Sequence, residues 1–184
     1  MIFKGQVPWN SLRRITRDDD LSGWSCGCEE VDDWVQNKAS AAQRMERVAV
    51  WACTDTSGES ENILAIFALK TIPVAADTLG EKSRKRIGNG MGTAILLAQM
   101  GLHVTVERNQ NHGRRLFLQA LVTAYDACRM SPVDLLIIDA ATDELVDFYQ
   151  HCMNGTLIAC PDNPRRLTIP MPVVGKMLSK LDIR

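Results

Sequence analysis

The stretch from Ala94 to Ala140 constrains this chain more than any other. Ala94 to Val106 reads as a long strand, β-branched toward its end. A polar loop follows, Glu107-Arg-Asn-Gln-Asn-His-Gly-Arg-Arg115. Then Leu116 to Cys128 reads as a helix, because apolar residues at 117, 118, 121, 124, 125 and 128 recur at the helical period. Ser131-Pro132 ends it, and Val133-Asp-Leu-Leu-Ile-Ile-Asp-Ala140 reads as a central strand. Strand, loop, helix and strand in this order form a βαβ unit. Its two strands must pair in parallel, through a right-handed crossover. An all-helical fold and a purely antiparallel sheet are thereby excluded.

The flanking segments supply antiparallel partners. Val48–Cys53 and Ile63–Leu69 read as a hairpin around the turn-rich loop Thr54–Glu61, and a short first strand falls near Ser11–Ile15. Between them, Cys26–Ala39 turns helical, with Val31, Trp34, Val35 and Lys38 on one face, and a second helical stretch runs toward Met45. Pro73 to Gly92 is polar and irregular with room for a short helix. Thr142 is suited to cap a helix over Asp143–His151, whose first acids match the positive helix end. Strands near Leu157–Cys160 and Leu167–Met171 close the sheet, and the tail from Val174 reads as a short amphipathic helix. The fold class is α/β (α+β). With no repeat and no linker, residues 1–184 are expected to form a single domain.

Composition narrows the function classes. The chain has 184 residues and a formal net charge of −1, so nothing global asks for a polyanionic partner. The start, Met1-Ile-Phe-Lys-Gly-Gln-Val-Pro-Trp9, lacks the apolar run of a secretory signal, and no stretch approaches the ~18 apolar residues of a membrane span. A cytoplasmic chain is expected, with the six cysteines reduced. Cys26-Gly-Cys28 has no second Cys or His pair at a zinc-like spacing, so no metal is expected there. Gly88-Asn-Gly-Met-Gly92 precedes a strand instead of joining a strand to a helix, which is the wrong context for a dinucleotide loop. Lys82-Ser-Arg-Lys-Arg86 is the densest basic cluster; it reads as a solvated face or as a contact for an anionic substrate.

The chemistry concentrates at Gln110-Asn-His-Gly-Arg-Arg115. This loop joins a strand to a helix, where successive backbone N–H groups can cradle phosphates. Gly113 permits close backbone approach, and Arg114 and Arg115 are cationic donors matched to phosphate oxygens. An ordinary basic surface loop has the same composition.

The order of segments resembles the GNAT superfamily of N-acetyltransferases, and in particular the GNAT toxins of bacterial type II toxin–antitoxin modules. Trp24-Ser-Cys-Gly-Cys-Glu-Glu-Val-Asp-Asp-Trp-Val35 resembles the pattern F-x-C-G-x-x-x-L-D-x-W-L. Ala94-Ile-Leu-Leu-Ala-Gln-Met-Gly-Leu102 resembles the central strand A-x-L-L-G-R-L-A-V. Gln110–Arg115 resembles the acetyl-CoA motif Q-x-x-G-x-G/A. Leu136-Ile-Ile-Asp-Ala140 with Asp147-Phe-Tyr149 resembles the fifth strand and its F-Y helix, and Arg166-Leu-Thr-Ile-Pro-Met171 resembles the terminal strand R-L-Y-L-P-M. Arg115 stands where the motif has its second small residue. The F-Y-x-x-x-G-F ending is here Phe148-Tyr-Gln-His-Cys-Met-Asn154, and the chain is less basic than toxins that modify charged tRNA.

The resemblance implies a GNAT fold: a central mixed, mostly antiparallel sheet whose parallel strands 4 and 5 splay apart, flanked by helices. It implies acetyl transfer from acetyl-CoA, a co-substrate used without metal, to a primary amine in one ternary complex. The amine could be that of aminoacyl-tRNA; alternatives are a small amine, a protein amino group, or a non-catalytic CoA-binding role. Gln110, Asn111, His112, Gly113, Arg114 and Arg115 are the expected pyrophosphate cradle. Backbone groups within Leu102 to Val106, Leu102 and Val104 among them, are expected to meet the pantetheine arm. Tyr149 is the expected acid for the departing thiolate. No base is assigned: Glu107, His103 and His112 are candidates by type, and a water chain would serve. His103 is expected to be buried and satisfied, and Cys152 to be a buried thiol near Tyr149. A ribbon–helix–helix antitoxin and a second copy in a homodimer are the partners the resemblance allows, with no membrane.

Overall fold

The crossover unit is present in the computed structural model of the chain, which describes residues 7–58, 61–88 and 90–181. In chain order the elements are β1 (Ser11–Arg14), α1 (Glu29–Asn37), α2 (Ala39–Arg44), β2 (Ala49–Asp55), β3 (Asn62–Ala75), α3 (Glu81–Ile87), β4 (Met91–Leu102), α4 (His112–Met130), β5 (Leu135–Asp139), α5 (Asp143–Cys152), β6 (Ile158–Cys160), β7 (Asn163–Pro170) and α6 (Met171–Lys180). The strands form one seven-stranded sheet in the order β1-β2-β3-β4-β5-β7-β6. β4 and β5 pair in parallel from Ala94↔Leu135 to Leu97↔Ile138, as a helical crossover requires. The pairs β1–β2, β2–β3, β5–β7 and β6–β7 are antiparallel.

The chain divides into two compact units. One comprises the chain up to Lys70 with Gln99–Ala120, the other Thr71–Ala98 with the chain from Leu121 onward. β3, β4 and α4 therefore each contribute to both. In the second unit β5 is buried at every residue from Leu135 to Ile138, the continuous apolar run of a strand covered on both faces. Leu135 and Ile137 pack with Val74, Leu79, Ala94 and Cys160. Leu136 and Ile138 point to the opposite face by the two-residue period of a strand. In the first unit the hairpin buries Val50, Ala52, Cys53, Ile66, Phe67 and Ala68.

Several element boundaries differ from expectation. β3 does not stop at Leu69 but runs through Pro73 to Ala75, inside the segment read as irregular. The rest of that segment holds a 3₁₀ turn, Ala76–Thr78, and α3, which carries the basic cluster. α3 is fixed by the buried Ser83 Oγ, 2.8 Å from Thr168 Oγ1 on β7, so its cations at 82, 84, 85 and 86 face solvent. β4 ends at Leu102, short of the expected Val106, because the chain is diverted. His103 N–H donates to the Leu64 carbonyl (2.8 Å) and Val104 N–H to the Ser25 carbonyl (2.8 Å). Residue 89 of the Gly88–Gly92 stretch and residues 59 and 60 of the hairpin loop lie outside the described residues.

The motif around Trp24 also acquires a physical role. Asp32 on α1 accepts from Ser25 Oγ (2.6 Å) and Cys26 N–H (2.7 Å), closing the turn that carries Gly27 at φ +83°. Burial pushes the Asp32 carboxyl up, but the bonds from Ser25, Cys26 and Gly27 outweigh it and hold the carboxyl below its ordinary value. The turn packs on β4 at Gly101, where an added Cβ would lie 2.9 Å from Trp24 Cη2 and 3.0 Å from Cys26 Cβ. Both neighbours are buried and have no room to retreat. Gly101→Ala is expected to destabilise the fold by about 1–3 kcal/mol through overpacking. Thermal denaturation checks this: a chain of this size should lose several degrees in Tm. An unchanged Tm would show that the turn yields freely.

Candidate functional site

The loop singled out by sequence is shorter than expected because α4 begins inside it. A 3₁₀ turn, Arg108–Gln110, leads to Asn111 at φ +57°, a left-handed conformation that asparagine tolerates. α4 then starts at His112, and its first turn is marked by the Arg115 N–H bond to the Asn111 carbonyl at 3.1 Å. The N–H groups just before Arg115 have no acceptor within the helix and lie at its positive end. Gln110, Asn111 and Arg114 are exposed, while Gly113 and Arg115 are half-buried. Gln110 Nε2 donates to Glu107 Oε2, and Arg108 reaches back to the Cys26 carbonyl, tying the loop to the Trp24 turn. A backbone turn, orphan helix donors and two guanidinium groups converge on one short segment. This donor set fits a phosphate ligand.

His112 is the buried member of the loop. It is 4% exposed, its ring meets Trp9 edge-on at 6.2 Å, and its buried Nδ1 has no hydrogen-bond partner among the described residues. Burial, then the positive charge of Arg115, lower its pKa; Glu107 opposes them. His103 departs from its expected place. It is half-buried at the end of β4, with Nδ1 2.8 Å from Thr105 Oγ1 and its ring 6.1 Å from Trp24. The strand breaks there, so the side chain does not enter the core. Leu102 is half-buried; Val104 is 53% exposed, and its N–H is committed to the Ser25 carbonyl.

The first unit also holds a cleft of about 910 Å³. Among the described residues, Asp18, Asp19, Asp20, Asp55 and Glu61 line it with the cation Arg13. Arg13 Nη2 bridges Asp19 and Glu61, at 2.7 Å each. Its charge is wrong for phosphates and right for a cation.

Tyr149 lies on α5 in the second unit. Thr142 caps this helix as expected, its Oγ1 accepting from Leu145 N–H at 3.3 Å. Two arginines of β7 fix its entry. Arg166 makes paired 2.7 Å bonds to Asp139, and Arg165 binds Asp143 (2.7 Å) and the Ala141 carbonyl (2.9 Å). Tyr149 and Cys152 are both buried, and the Tyr149 ring stands edge-on to Phe148 at 5.2 Å. Burial pushes the Tyr149 hydroxyl up to about 12, so it stays protonated at neutral pH. Sequence reasoning missed Trp9, Ser25, Asp32 and Arg108. Their roles are contacts to distant segments, and only the D-x-W match at Asp32 hinted at one.

The sheet order, the β4–β5 parallel pair and the strand-to-helix loop define a GNAT fold. Solved structures with this fold include a tyrosine-to-phenylalanine mutant of KacT, with a TM-score of 0.78 and 15% identity over 91% of this chain and 98% of that one. AtaT complexed with acetyl-methionyl-tRNAfMet matches with a TM-score of 0.77 and 17% identity, covering 91% and 98%. AtaTR bound with acetyl-CoA matches with a TM-score of 0.75 and 16% identity, covering 91% and 97%. No protein-family model and no curated protein matches the sequence. No helix among the described residues is long and apolar enough to cross a membrane.

Proposed function

We propose that this chain is an acetyl-CoA-dependent N-acetyltransferase, one GNAT domain over residues 1–184, acting in the cytoplasm as the toxin of a toxin–antitoxin pair. The observation that carries the reading is the α4 N-terminus, a phosphate-suited donor set on a fold whose solved neighbours include one bound with acetyl-CoA. The one-domain reading rests on β3, β4 and α4, which each belong to both compact units. The aminoacyl-tRNA acceptor is supported by AtaT, solved with acetyl-methionyl-tRNAfMet, and by the exposed cations of α3. An antitoxin partner, of ribbon–helix–helix type, belongs to the same reading, since an AtaT mutant is also solved with the C-terminus of the antitoxin AtaR; a homodimer is proposed with it.

Acetyl-CoA supplies the activated acyl group. The N–H groups at the start of α4, with Arg114 and Arg115, bind pyrophosphate oxygens, and the backbone at Leu102 and the Val104 carbonyl orient the pantetheine arm. As the amine nitrogen forms its bond to the acyl carbon, the C–S bond breaks. The Tyr149 hydroxyl gives its proton to the sulfur, while the amine's surplus proton leaves through solvent and restores the hydroxyl. A buried, protonated phenol on a capped helix is suited to this donation. A small cationic amine or a protein lysine is the competing acceptor, favoured by the acidic cleft and the net charge of −1.

Gly113→Asp places a carboxylate beside the phosphates and should weaken acetyl-CoA binding at least tenfold in calorimetry; a folded variant with unchanged affinity removes this loop from the site. Tyr149→Phe should lower kcat by about 10²–10⁴-fold, the usual yield of a general acid, with acetyl-CoA affinity and Tm nearly unchanged. Near-normal kcat would leave Tyr149 a packing residue beside Phe148, and a protein that binds CoA but acetylates nothing would favour the non-catalytic role. For the acceptor, acetylation of charged tRNA should fall steeply with salt, and more shallowly after Lys82→Glu and Arg86→Glu. Salt-independent turnover, or no labelling of any charged tRNA, points to the small or protein amine instead.

A further inference from the structure

We infer that ligand binding at the α4 N-terminus is proton-linked through His112, which takes up a proton as phosphate oxygens arrive. This rests on the acetyl-CoA reading above, and it concerns a side chain that the acetyl-CoA motif leaves unspecified.

His112 is placed to sense charge without being free to move. The residue is 4% exposed, and its ring is edge-on to Trp9, itself 5% exposed. Trp9 is held by its neighbour Asn10. The Asn10 N–H donates to the Thr54 carbonyl (3.0 Å) and Nδ2 to Asp55 Oδ1 (3.1 Å), while Oδ1 accepts from Thr56 N–H (3.1 Å) and Oγ1 (3.0 Å). The N-terminal segment is thus pinned to the end of β2 and walls His112 in. Among the described residues Nδ1 has no hydrogen-bond partner, so none of them already satisfies a second ring N–H.

Among the described residues the charges that act on the ring are Arg115 on α4 and Glu107 on the preceding loop, and the described N-terminal residues bring the uncharged indole of Trp9 against it. Burial, Arg115 and the positive end of α4 all disfavour the imidazolium, and Glu107 offsets them only in part. The free protein therefore carries a neutral His112 at neutral pH. Phosphate oxygens at the same helix end bring charge of the opposite sign toward a residue that is itself buried. They oppose Arg115 and the helix end, so the ring's proton affinity rises on binding. The sign follows by linkage. A group whose pKa is raised by the ligand binds that ligand more tightly as pH falls through the window between the free and bound values, with uptake of at most one proton.

The test is calorimetry of the whole chain with CoA near neutral pH, in buffers of different ionisation enthalpy, for the wild type and His112→Asn. Wild type should take up a fraction of a proton more than the variant, and this comparison cancels the titration of the CoA phosphates themselves. A wild-type NMR titration of the histidine ring signals, with and without CoA, gives the second readout, and it decides if the variant does not fold. The His112 midpoint should rise on CoA binding. Proton uptake equal in the two proteins, or a midpoint that stays or falls, overturns the inference while CoA binding itself stands. Absence of any CoA binding to wild type overturns both this inference and the acetyl-CoA reading.

Discussion

The parallel pairing of β4 with β5 is the constraint on which the rest of the structure depends. It is only four residue pairs long, Ala94–Leu97 against Leu135–Ile138. A parallel pair cannot be joined by a tight turn, so the chain must leave β4, cross as α4 and return. That crossover sets the N-terminus of α4 just beyond the carboxyl end of β4. Open α/β sheets place ligands at this end of their strands, where helix N-termini gather. A one-residue shift would move every side chain of β5 to the opposite face, away from the neighbours it packs against, such as Val74, Leu79 and Ala94 for Leu135 and Ile137.

The segment after β4 would have no reason to hold one shape by itself. It is held by contacts from the N-terminal third of the chain. Ser25 and Cys26 offer carbonyls to Val104 N–H and Arg108, Asp32 closes the turn that presents them, and Trp9 walls in His112. These part-buried charge-assisted and backbone bonds fix the loop, and pre-positioned donors bind a ligand at a lower entropic cost. In the proposed chemistry the same economy applies at α5, where Thr142, Arg165 and Arg166 fix the start of the helix that carries Tyr149.

Electrostatics divides the first unit between two opposite demands. The α4 end presents orphan N–H donors with Arg114 and Arg115, while the cleft lined by Asp18, Asp19, Asp20, Asp55 and Glu61 carries the reverse sign. Arg13 keeps that acidic cluster tolerable by bridging two of its members. A near-neutral chain can therefore present strongly charged local surfaces, which the net charge of −1 conceals.

The sequence by itself determined the elements whose information is local. The helical period over 117–128, the β-branched and apolar run of β5, the Thr142 cap and the need for a parallel crossover all lie within a few residues of where they act. The strand-to-helix loop at Gln110–Arg115 was legible for the same reason. What only the tertiary structure decided is where elements stop and what walls them in. β4 ends at Leu102 because Leu64 and Ser25 take the next two N–H groups, and no period in the residues 94–106 records that. β3 runs past Pro73, although proline signals a break, because its register with β2 ends at Leu69, so no β2 residue asks for the N–H that proline lacks. The burial of His112 depends on Trp9, more than a hundred positions earlier. Such contacts join residues far apart in the chain, and a single sequence encodes no distance between them.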